Sequence, residues 1–283
     1  MVIVVLICLA LVWILFATIQ DLRSREVANW LNFSLIIFAL GLRFFYGLFS
    51  NFNFNLFYQG LIGLGIFFVL GNLFYYGKLF AGGDAKLMIA LGTILPFSEN
   101  FSTNVKIFLW FFLIFFFIGA IYGLLWSFVL MVKNFGKFKK EFGKQFRERK
   151  SVILFFMFLG LLLIIVGIWN FLVLYFGVLI FVLPSFYLYA KAIDEVCMVK
   201  NIGIKNLREG DWLYEDLKIG SRTIKAKWEG INKKNILEIK KHHKKVLIRE
   251  GIPFVPVFLI SFILTIIAWK FLDLFWLFGY FGI

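Results

Sequence analysis

The first 29 residues, MVIVVLICLALVWILFATIQDLRSREVAN, decide the kind of fold this chain adopts. Residues 1–20 carry no charge, and about 20 apolar residues are what a helix needs to cross the ~30 Å hydrocarbon core of a bilayer. They have no basic leading segment and no small-residue cleavage pattern. The stretch therefore reads as a first spanning helix rather than a removed signal peptide. Asp21, Arg23, Arg25 and Glu26 follow together, where such a helix re-enters water. The rest of the chain has the same character. Its 283 residues are 62% hydrophobic and include 40 Phe, with a mean hydropathy of +0.90. A soluble domain is nearer 45–50% apolar. The strict alternation of a membrane β-barrel is absent. The predicted class is an all-α polytopic membrane protein.

Further spans are predicted near 30–49, 56–77, 84–96, 105–132, 152–168, 171–190 and 254–280, about eight in total. The connections alternate in charge. Arg23 and Arg25 follow the first span, and SNFNFN after the second has none. Lys78 follows the third, and the segment after the fourth carries only Glu99. KNFGKFKKEFGKQFRERK after the fifth is strongly basic, the link between sixth and seventh is WN, and the region after the seventh is rich in Lys and Arg. The positive-inside rule puts the basic connections in the cytosol and both termini outside. The predicted organisation is a membrane core of five spans over 1–132 and a basic cytosolic loop over 133–151. Two spans over 152–190, a small cytosolic subdomain over 191–251 and a last transmembrane helix in 252–283 follow.

This topology absorbs the net charge of +14. Contact with anionic lipid headgroups explains the basic loop, and nucleic-acid binding is not called for. Cys8 and Cys197 stand far apart, and no CxxC exists, so neither a disulfide framework nor a thiolate zinc site is indicated. His242 and His243 are adjacent in a lysine-rich run and point to different helix faces, as a solvated pair does. No metal site and no organic cofactor are expected.

The two acids that stand out are Asp21 and Asp84. Each lies at the end of a span, and the topology puts both at the cytosolic side. Taken singly, Asp21 reads as a helix-end residue pairing with Arg23 or Arg25, and Asp84 as an N-cap of the helix it opens. Taken together, they are a candidate carboxylate pair. Ionisable groups in or beside spans are functional candidates by default. Two close carboxylates titrate as a unit, one keeping a proton, and such a pair can activate water against a peptide carbonyl. Gly82 and Gly83 before Asp84 leave room for an extended peptide backbone. Lys86 lies roughly 200° around a helix from Asp84 and reads as an anchor or substrate-side residue. Glu26 and Asn29 are candidates to line the site. Arg43 is expected to snorkel outward, and the spacing of Lys270 and Asp273 predicts a pair.

DLRSREVAN at 21–29 and GGDAKLMIALG at 82–92 resemble the two signatures of the prepilin peptidases, membrane aspartyl proteases of the GxGD type, most nearly the archaeal preflagellin and prepilin peptidases. IREGIPFVPVFLI at 248–260 resembles the segment leading into their last span, and NLREGD at 206–211 a weaker turn motif. Residues 97–200 carry no residue-level match. Ala81 stands where GxGD has its first Gly, and Ala28 where Pro is common. The cysteine-rich cytosolic domain of the bacterial members is missing, so their N-methylation is not implied. The resemblance implies that Asp21 and Asp84 are the catalytic pair. It implies substrates that are prepilins or preflagellins (archaellins), with a short basic leader before a hydrophobic helix, cut at the cytosolic face after a small residue. Glu209, Asp211, Glu215 and Asp216 are candidates to receive the basic leader. The other classes weighed are an ion-coupled transporter using intramembrane acids, a non-enzymatic membrane scaffold docking partners through 191–251, and a GxGD protease acting on already inserted substrates. A transporter would place acids at mid-span and broken helices at repeat-related positions.

Overall fold

A computed structural model describes residues 2–219 and 222–271. Six of its helices are long and apolar enough to cross a membrane. They are α1 (Val2–Ser24), α2 (Asn29–Phe49), α3 (Asn55–Tyr76), α5 (Phe101–Lys133), α7 (Lys150–Val166) with the turn that follows it, and α8 (Phe171–Ile193) with its π-helical end. Each falls where the hydropathy placed a span. A shorter apolar helix, α10 (Val255–Phe271), stands at the position of the last one. The pairing expected of Lys270 with Asp273 lies outside the described residues. The chain divides into two compact units, Met1–Gly123 with Ile252–Ile283, and Leu124–Gly251.

In the first unit α1 packs on α2 and α10, and α2 packs on α3 and α4 (Gly82–Leu91). The buried stripe of α1 is Leu6, Ala10, Ile14 and Ala17, the three- and four-residue spacing of one helix face. The opposite faces show exposed Phe, Leu and Val, such as Phe16, Phe38 and Phe45, as lipid-facing surfaces do. Two kinds of contact hold this unit. Between α3 and α4 the backbones touch. A Cβ at Gly63 would overlap the Gly92 carbonyl, and one at Gly92 would overlap Phe67. Around α5 the helices are held apart by rings. Phe67 stacks on Phe112 at 5.3 Å, Phe80 meets Phe115 at 5.8 Å, and Phe115 meets Phe258 at 4.7 Å edge-to-face.

The fourth predicted span, 84–96, takes an unexpected form. α4 has only 10 residues, about 15 Å of helix, and 92–97 continues it irregularly. Together they run antiparallel to α3. Gly71 lies against Ala85 and Ile89, while Gly63 lies against Gly92 and Pro96. Non-helical backbone at membrane depth must have its polar groups satisfied by protein, and Arg43 of α2 does this. Its guanidinium donates to the carbonyls of Thr93 (3.0 Å), Leu56 (2.9 Å), Ile94 (3.1 Å) and Pro96 (2.7 Å). Arg43 is 0% exposed. The snorkelling expected of it is wrong: its partners are inside the bundle, and its planar fork can serve several carbonyls at once.

In the second unit α7 and α8 form a hairpin with backbone contact at glycines. A Cβ at Gly160 would overlap Phe181, and one at Gly177 would overlap Ile164. The amphipathic α6 (Phe135–Glu148) covers the end of α8, with Phe138 against Ala192, Ile193 and Cys197. Residues 199–249 build a small α/β layer. β1 (Val199–Gly203) and β2 (Trp212–Leu213) flank β5 (Lys245–Arg249), all antiparallel, with Val199 and Trp212 both opposite Arg249. β3 (Leu217–Ile219) and β4 (Arg222–Ile224) pair antiparallel. Alternation along β5 turns Val246 and Ile248 inward onto Ile236 and Ile239 of α9 (Lys233–His242).

Candidate active site

Asp21 lies in the last turn of α1 and is 6% exposed. The helix ends on Arg25, whose φ of 59° is the left-handed cap conformation, with its amide donating to the Asp21 carbonyl at 2.9 Å. The following turn is tied back to α1: the Ala28 amide donates to Gln20 Oε1 at 3.1 Å, and the Ser24 hydroxyl to the Gln20 carbonyl at 2.8 Å. The Asp21 carboxylate is thus presented by a fixed helix end. Its Oδ2 accepts the backbone amide of Val255 at 2.9 Å, the Phe254 amide also faces it, and Arg25 faces it electrostatically.

Asp84 is the third residue of α4, not its N-cap. The cap position is Ala81, with φ −69° and ψ 161° and no capping side chain. The Asp84 carboxylate reaches back to the Ala81 amide, the acidic half of a capping box. The charge of Asp21 acts on Asp84, so the two carboxylates lie within electrostatic reach of each other. The helix ends of α1 and α4 bring together the two acids singled out from sequence, 63 positions apart in numbering (84 − 21).

Gly82 and Gly83 border Asp84 without being required by packing. A Cβ at Gly82 would have Tyr75 as its nearest neighbour, at 3.8 Å, and one at Gly83 would meet Val27 at 3.6 Å, an ordinary contact. Lys86 donates to Asn29 Oδ1 at 2.7 Å, joining α4 to the start of α2; two of the candidate lining residues are therefore partners. Glu26 stands exposed on the α1–α2 turn. Of the acids proposed to meet a basic leader, three have local partners. Asp211 accepts the Arg208 amide at 2.7 Å, Asp216 accepts the Ala226 amide at 2.7 Å, and Glu209 faces Lys233 at 3.8 Å. Glu215 is exposed. Among the described residues no group of three or more His, Cys, Asp or Glu is placed to hold a metal ion.

Two features of the site were missed. Tyr122 of α5 feels the charges of Asp21 and Arg25, and nothing in the local sequence GAIYGLL distinguishes it. The amides of Phe254 and Val255 were the other, and here a signal existed: they stand between Pro253 and Pro256, which have no N–H.

Residues 8–127 match the model of the type IV leader peptidase family. A preflagellin peptidase of Methanocaldococcus jannaschii is 34% identical over 85 residues, 29% of this chain and 35% of that protein. Another, of Methanococcus maripaludis, is 29% identical over 83 residues, 29% of this chain and 35% of that protein. A third, of Methanococcus voltae, is 27% identical over 134 residues, 44% of this chain and 56% of that protein. The chain thus spans between about a third and just over half the length of these curated relatives. No solved structure matches it. Over residues 8–127, which hold both aspartates, the chain is similar to the type IV leader peptidases.

Proposed function

We propose that this protein is a membrane aspartyl endopeptidase that removes short basic leader peptides from prepilin- or preflagellin-like substrates. The observation that carries the reading is the meeting of Asp21 and Asp84 at two helix ends, each partly withdrawn from water and within electrostatic reach of the other. The match over 8–127 covers both acids, and the named relatives are preflagellin peptidases.

In the proposed reaction one carboxylate takes a proton from water as the water oxygen bonds to the scissile carbonyl carbon. The other, protonated, gives its proton to the carbonyl oxygen. Collapse of the tetrahedral intermediate breaks the C–N bond: the proton gained from water passes to the leaving amine, and one hydroxyl of the intermediate returns a proton to the other carboxylate as C=O re-forms. No step calls for a metal. The absence of side chains at Gly82 and Gly83, where packing does not demand glycine, would admit the extended backbone of the substrate beside Asp84. The positive-inside pattern orients the site to the cytosol and both termini outside. The substrate's hydrophobic helix would dock laterally among the spans, in contact with lipid.

Incubating the purified protein, in detergent or vesicles, with a panel of leader-bearing prepilin-like and archaellin-like substrates tests this. The expected outcome is a single cut just after a small residue at the leader boundary, read by mass spectrometry. Absence of cleavage across the panel would contradict the proposal.

A further inference from the structure

Resting on the peptidase reading above, we infer that the N-terminus of α10 is the positioning element that makes Asp21 the member of the pair that takes the proton from water, leaving Asp84 as the one that donates. A helix start leaves its first amides without partners inside the helix. At α10 the chain reads Pro253-Phe254-Val255-Pro256. The prolines have no N–H, and the Val257 amide is taken by the Phe254 carbonyl at 3.0 Å. The amides left over are those of Phe254 and Val255, and both face the Asp21 carboxylate, Val255 at 2.9 Å. Asp21 is therefore the N-terminal cap of a helix 234 residues further along the chain.

That arrangement is unequal across the pair. Hydrogen bonds donated to a carboxylate favour its ionised form. Asp21 accepts the Val255 amide at 2.9 Å, and the Phe254 amide and Arg25 act on it as well. Asp84, in the first turn of α4, has the Ala81 amide acting on it, and it faces the charge of Asp21. Among the described residues, the charged and titratable groups acting with Asp21 are Arg25 beyond its own helix, Asp84 of α4 and Tyr122 of α5. When substrate and water enter, the ionised Asp21 accepts the proton of the attacking water. The Asp84 carboxyl protonates the carbonyl oxygen, and the C–N bond then breaks as set out above. Val255 acts through its main chain, as a positioning residue.

Val255→Pro removes one donor at a first helical position, where proline's fixed φ is accommodated, while Val255→Ala keeps it. In a Val255→Pro protein that unfolds at the wild-type temperature, kcat for a leader-bearing substrate should fall about tenfold or more. KM should stay unchanged, and the acid limb of the kcat–pH profile should move to higher pH. Val255→Ala, which keeps the N–H, should leave the acid limb at the wild-type pH. Wild-type kcat and limbs in a folded Val255→Pro protein, or movement of the alkaline limb instead, would overturn the assignment. A second measurement needs neither this variant nor any substrate: hydrogen exchange at the Val255 amide should be at least about tenfold faster in Asp21→Ala than in the wild type. Equal exchange rates would overturn it too. Failure of the peptidase reading would show separately, as absence of cleavage by the wild-type protein.

Discussion

Ala81 and Ala28 depart from the pattern that the flanking motifs resemble, and both fit their positions. Ala81 sits at φ −69°, ψ 161°, open to any residue, so the α4 turn makes no demand for glycine there. Ala28 sits at φ −62°, the value proline would fix, and uses its N–H on Gln20, a bond that proline would lose. The glycines that remain have another logic. Since a Cβ at Gly82 or Gly83 meets nothing closer than 3.6 Å, alanine at either place should leave thermal unfolding in detergent at or above the wild-type temperature, alanine being the better helix former by roughly 0.5–1 kcal/mol. Leader cleavage should nevertheless weaken, by about tenfold in kcat/KM if the added methyl costs the ~1–3 kcal/mol of an overpacked contact. Kinetics of Gly82→Ala and Gly83→Ala check this. Wild-type cleavage by both would show that the space beside Asp84 is not used by substrate.

At the scale of elements, the short α4 and its irregular continuation depend on a residue in a different helix. Arg43 supplies the hydrogen bonds that 92–97 would otherwise lack, and it also closes the start of α3 through Leu56. Arg43→Met should destabilise the protein by on the order of 3 kcal/mol or more, because several buried carbonyls lose a charged donor. Equilibrium unfolding in mixed detergent measures it, and stability within about 0.5 kcal/mol of the wild type would contradict this role. The sequence alone could not show this. Position 43 looked like a cation near a span end, where snorkelling is the common outcome. What decides otherwise is the neighbouring chain, since only a broken helix beside it makes inward carbonyls available. The two prolines before α10 were a similar case: visible as a helix start, silent about the carboxylate they serve.

Across the whole molecule, the legible part was what depends on local composition. Long apolar runs marked the six long helices, because a bilayer imposes length and hydropathy on each span by itself. Asp21 and Asp84 were legible as a pair because both fall at span ends on one predicted side. Less legible was what depends on helices meeting. The Phe-rich faces around Phe67, Phe112 and Phe115 pack as rings inside the first unit, yet read in sequence like the lipid-facing Phe38 and Phe45. Tyr122 joins Asp21 through the same packing. The most direct test of the central claim is single-turnover cleavage of one leader-bearing substrate by the wild type, Asp21→Asn and Asp84→Asn, each first shown to unfold at the wild-type temperature. Each substitution is expected to lower the cleavage rate by at least about 100-fold, the usual contribution of a general acid or base. Cleavage at the wild-type rate by either folded variant would contradict an aspartate pair acting on water.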